Sequence, residues 1–92
     1  MSLEEEVIKA GEAEQVLDSR IFNEAKMRVK EGILAQMKTV PLADEKMHTK
    51  LILALQIWES IESYLHQAVA TGKLAKYQLS EEEKRKTFFG MF

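Results

Sequence analysis

Seven residues constrain this chain more than any others. Met47, Leu51, Ala54, Trp58, Ile61, Leu65 and Ala68 follow one another at steps of 4, 3, 4, 3, 4 and 3. Apolar residues at that spacing share one side of an α-helix, whereas on a strand they would alternate between faces. The segment therefore reads as a helix about six turns long with an apolar seam. Such a seam has to be covered by other helices, and the expected fold class is all-α.

The seam is also broader than a single neighbour can cover. Leu55 and Val69 flank it on one side, Ile57 and Tyr64 on the other, and Ile52 and Leu53 carry apolar surface further around. A surface helix needs an apolar stripe of about 100°, and this one is nearly apolar all round between Leu51 and Leu55. Three occupants could cover the remainder: the chain's own first helix, a second copy, or a partner protein. The expected self-association face is Met47, Leu51, Ala54, Leu55, Trp58, Ile61, Leu65 and Ala68. Trp58 is either a core residue whose indole N–H finds an acceptor or an interface anchor.

Punctuation residues divide the rest. Ser2 followed by Glu5 has capping-box spacing, and Glu4, Glu5 and Glu6 suit the positive end of a helix dipole. A first helix is expected over about 3–17. Asp18 or Ser19 caps a second, about 19–39, whose apolar positions are Phe22, Ala25, Val29, Ile33, Met37 and Val40; the two could equally be one helix broken at Asp18-Ser19. Pro41 forces residue 40 out of the helical region. Asp44 is a good N-cap for the third helix, about 44–71, which Gly72 is expected to end. The short connection predicts an antiparallel αα-hairpin of the second and third helices. Ser80 and Glu83 repeat the capping-box spacing and predict a short C-terminal helix near 80–89. The expected organisation is a helical domain over 1–79, then a short helix and aromatic tail over 80–92, with the bundle completed by oligomerisation.

That tail reads Thr87-Phe88-Phe89-Gly90-Met91-Phe92 behind three acids and three bases. An exposed aromatic terminus is a liability unless something covers it. Phe88, Phe89, Met91 and Phe92 are therefore expected to bind a neighbour, with folding back on the hairpin or a disordered end as the alternatives.

Composition narrows the chemistry. A chain of 92 residues makes one small domain, burying about 60–65% of its unfolded surface, and chains of that size often gain stability by oligomerising. Net charge is −2, which does not suit coating nucleic acid. Lys26, Arg28, Lys30 and Lys38 make the second helix locally basic and Lys84-Arg85-Lys86 adds a second cluster. They read as a solvated face balanced by Glu24, Glu31 and the acidic N-terminus, with phosphate contact through Lys26, Arg28 and Lys30 as the functional alternative. There is no Cys, hence no disulfide, thiolate metal site or cysteine nucleophile. The two histidines, His48 and His66, are about 27 Å apart on one helix and cannot share a metal. Glu59 and Glu62 read as a solvated flank. No phosphate loop or catalytic set is present. The expectations are no catalytic residues, no metal, no cofactor and no enzyme activity. The acidic start lacks a secretory apolar region and no run spans a bilayer, so a cytoplasmic protein away from membranes is expected.

Two stretches carry a resemblance. They are Ala13-Glu14-Gln15-Val16-Leu17-Asp18-Ser19-Arg20-Ile21-Phe22-Asn23-Glu24-Ala25 and Thr71-Gly72-Lys73-Leu74-Ala75-Lys76-Tyr77-Gln78-Leu79. Over about residues 13–79 the chain resembles small helical proteins encoded by tailed bacteriophages and prophages among head-morphogenesis and packaging genes. The resemblance implies a role in virion assembly or DNA packaging, in the host cell or with the virion. It carries no catalytic residues and does not extend to the tail. Together these readings predict a non-enzymatic assembly protein, homo-oligomeric and engaging another phage structural or packaging protein. The alternative is a small DNA-binding packaging or regulatory subunit.

Overall fold

The computed structural model describes residues 2–90, with side chains through Lys86. Every regular element among the described residues is an α-helix. They are α1 (Leu3–Asp18), α2 (Arg20–Thr39) and α3 (Glu45–Gly90). Their starts follow from local chemistry. The first backbone N–H groups of a helix have no partner within it, and a side-chain oxygen at the cap supplies one. Ser2 Oγ accepts from the Glu5 N–H at 3.1 Å, Ser19 Oγ from the Phe22 N–H at 3.3 Å, and Asp44 Oδ1 from the Met47 N–H at 3.1 Å.

One residue separates α1 from α2. Ser19 is extended, at φ −65° and ψ 127°. The side chain of Asn23 reinforces the break. Its amide donates to the carbonyls of Leu17 and Ser19, both at 2.8 Å; the first lies at the interruption, while the second also accepts the Asn23 backbone N–H as the cap carbonyl of α2. At the other end of α2, Val40 is extended before Pro41, and its N–H still donates to Gln36 O. The Asp44 N–H closes the turn by donating to Pro41 O at 3.0 Å.

The third helix departs from expectation. It does not stop at Gly72 and no separate helix starts at Ser80; both lie inside α3. No residue of the described chain has the positive φ that a glycine C-cap uses. Residues 73–79 are mostly good helix formers without a proline, so one glycine, unfavourable by about 1 kcal/mol, does not interrupt them.

The chain divides into two compact units, one of Met1–Val16 with Leu65–Phe92 and one of Leu17–Tyr64. In the first, α1 lies against the later part of α3 through small side chains. Ala10, Ala13 and Ala75 are buried, and Gly72 is buried with them. A Cβ on Gly72 would overlap the Ala10 Cβ and stand 2.9 Å from the Glu6 carbonyl oxygen. Gly72 thus exists for close approach of two helices, not for helix termination. The second unit is built from α2 and residues 45–64 of α3, and its one buried residue is Leu51.

Candidate functional site

Leu51, Leu55, Trp58 and Glu62 form the side of α3 that meets α2, at steps of 4, 3 and 4. The Trp58 ring stacks on Phe22, centroids 5.9 Å apart with planes 22° from parallel. One turn further on, Glu62 receives two lysines from α2: Lys30 Nζ at 2.8 Å and Lys26 Nζ at 3.5 Å. The Glu62 side chain is only 17% exposed. The hydrogen bond from Lys30 holds its carboxyl below the ordinary carboxylate value, with the charges of Lys26 and Lys30 acting the same way and overcoming desolvation. At the turn, His48 Nε2 lies 3.3 Å from the Val40 carbonyl oxygen and 3.2 Å from that of Pro41. In the tautomer that carries hydrogen on Nε2, the ring donates to these turn carbonyls.

This arrangement redistributes the residues expected to form one seam. Leu51 is 6% exposed and Trp58 is half-buried, both turned towards α2, with Leu55 beside them. Met47, Ala54 and Ile61 face outwards, Ile61 at 45% exposure. Leu65 and Ala68, half-buried, belong to the other unit. The helix-contact line therefore runs through Glu62 rather than Ile61. An acidic residue was read as solvated flank, and two basic residues, Lys26 and Lys30, were read as a solvated face. The signal available was their combination: two lysines four apart on the line of Phe22, Ile33 and Met37 sit where an acid on the facing helix can meet them. Arg28 pairs within its own helix with Glu24, at 3.4 Å.

The indole N–H of Trp58 is buried and meets no acceptor among the described residues. Phe22 occupies the neighbouring ring face and offers none.

Beyond these contacts many large apolar side chains stand exposed. Ile21, Met27, Val29 and Leu34 are exposed on α2, and Ile52, Leu53, Ile57 and Ile61 on α3. In the first unit a shallow groove of about 290 Å³ runs beside the crossing. It lies between Val7, Gly11 and Glu14 of α1 and Lys73 and Lys76 of α3. Among the described residues no group of three or more acidic or histidine side chains could hold a metal ion. No described helix is long and apolar enough to cross a membrane. Of the expected tail contacts, the side chains of Phe88 and Phe89 and all of Met91 and Phe92 lie outside the described residues.

The class these features define is an all-helical chain with a thin core and a large apolar surface. No protein-family model, curated protein or solved structure matches it.

Proposed function

We propose that the chain is a non-enzymatic interaction and assembly protein that works by helix-to-helix contact, first of all with copies of itself. One observation carries the reading. Among the described residues the buried apolar core consists of Ala10, Ala13, Leu51 and Ala75, while many large apolar side chains remain exposed. Three of those four residues are alanines, which bury little area each. Hydrophobic stabilisation scales with apolar area removed from water, about 25 cal/mol per Å². A core of this size leaves a small chain marginal, and association is the available source of further burial.

In this reading α2 and the early part of α3 act as an antiparallel hairpin and present the association surface. The aromatic end, Phe88, Phe89, Met91 and Phe92, engages a neighbouring protein. The likeness of residues 13–25 and 71–79 to small phage and prophage helical proteins supports virion assembly or packaging as the setting. The alternative of a DNA-binding subunit gains nothing from Lys26 and Lys30, because both are committed to Glu62.

Light scattering and thermal melting of the full chain over a concentration series test this. The expected result is a multimer whose melting temperature rises with protein concentration, since association stabilises by mass action. A well-folded monomer with a concentration-independent melt rejects self-association.

A further inference from the structure

Resting on that reading, we infer that one side of the α2–α3 pair is the docking surface for a second copy, so that two pairs close into a four-helix bundle. The argument starts from the contact lines. On α2 the residues turned to α3 include Phe22, Lys26, Lys30 and Ile33; on α3 they are Leu51, Leu55, Trp58 and Glu62. Both helices are right-handed, and in an antiparallel pair they run in opposite directions. The residue just before each contact residue therefore emerges on the same side of the pair from both helices, and the residue just after emerges on the other side.

The two sides differ in chemistry. The preceding residues are Ile21, Ala25, Val29 and Gly32 on α2, with Lys50, Ala54, Ile57 and Ile61 on α3. They include a single charge, near one end. The following residues are Asn23, Met27, Glu31 and Leu34, with Ile52, Gln56, Glu59 and Ser63. Polar groups and two carboxylates interrupt that side. The first side is exposed apolar surface: Ile21 is 72% and Ile57 63% accessible. Its small residues, Ala25, Gly32 and Ala54, let a facing helix approach to the roughly 8–10 Å of packed helices.

Size and charge point to a second copy as the occupant. Two helices about 30 Å long, side by side, present a footprint of roughly 600 Å². That is of the order of the ~800 Å² of accessible surface each partner buries in a stable interface. A face with one cation and no anion offers a charged foreign partner no complementary pattern. An isologous contact needs none, because the same apolar patch serves both subunits. Lys50 lies at the rim, where its stem can cover apolar surface while its ammonium stays in water.

The test compares full-length Ile57→Glu and Val29→Glu with Leu34→Glu on the opposite side, by light scattering and helicity. The first two are expected to weaken association by about tenfold or more, because the new carboxylate would be buried without a partner. Leu34→Glu is expected to leave the multimer unchanged. Hydroxyl-radical footprinting of the wild-type chain across the association range serves if a variant fails to fold. Val29, Ile57 and Ile61 should become protected while Met27 and Leu34 stay labelled. A multimer that survives Ile57→Glu and Val29→Glu, or protection confined to Met27 and Leu34, overturns this surface and leaves self-association standing. A monomeric wild type overturns both.

Discussion

Glu62 joins two helices through a charge cluster that water still reaches. Two lysines of α2 converge on it, and all three groups keep some contact with water, so the cluster is stabilising only modestly. Glu62→Gln should cost about 0.5–1 kcal/mol, read as a lower denaturant midpoint at unchanged slope. The pH dependence has a definite sign. The folded carboxyl titrates lower than the unfolded one, chiefly through the Lys30 hydrogen bond. Its contribution is therefore present above the unfolded carboxylate value and is lost as pH falls through the folded one. Stability of the wild type should fall more steeply than that of Glu62→Gln below about pH 4. Parallel acid titrations of the two would count against the cluster. Trp58 gives a second residue-level expectation. Its ring stacks on Phe22 while its N–H is buried without a protein acceptor. Trp58→Phe keeps an aromatic ring against Phe22, so it should change stability by less than about 1 kcal/mol, whereas Trp58→Ala should cost about 2–3 kcal/mol. At this scale the caps were legible in the sequence. Ser2, Ser19 and Asp44 act within three residues of themselves, and that chemistry needs no tertiary context. The Glu62 cluster was not legible by the same means, because its members lie on two helices and each alone looks like ordinary surface.

The glycines of the helices make opposite predictions at the scale of elements. Gly11 has nothing within 4 Å of where a Cβ would stand, while Gly72 has the Ala10 side chain and the Glu6 carbonyl. Gly11→Ala should stabilise by about 0.5–1 kcal/mol through helix propensity alone. Gly72→Ala gains the same propensity but forces backbone apart, and overpacking of that kind costs about 1–3 kcal/mol. Its net effect should be destabilising, with α1 released from α3. Thermal melts of the two variants followed by circular dichroism check the pair of signs. Sequence reasoning placed α1, α2 and the turn at Pro41 to within a residue or so, because each boundary has a local cause. It ended the third helix about nineteen residues early. A glycine followed by a capping-type serine has the form of a helix stop, and only the neighbouring helix reveals that Gly72 serves packing instead.

For the molecule as a whole, the two compact units differ in how they are assembled from the chain. Residues 17–64 are contiguous, so α2 meets its part of α3 after closing a turn of a few residues. The other unit joins the first helix to a segment beginning at Leu65, and its buried residues are small. Long closure and little buried area both lower the free energy of opening. Native-state hydrogen exchange should therefore find the amides of α1 less protected than those in the middle of α2. Equal protection, or the reverse, would show that the Ala10–Gly72 crossing is tighter than its area implies. The heptad revealed that this chain is made of packed helices. It could not show which of two adjacent rows on α3 faces inwards, because that depends on what α2 presents opposite, the Phe22 ring and the lysines that meet Glu62.

The pairing of α1 with a distant part of α3 also has a consequence during synthesis. Ala13 leaves the ribosome some 60 residues before Ala75, and at about 5–20 residues per second that is a wait of roughly 3–12 seconds. Throughout it α1 has no docking partner of its own. Ala10 and Ala13, the residues of α1 that the crossing buries, expose little apolar area during that wait, whereas leucines at the same two positions would expose much more.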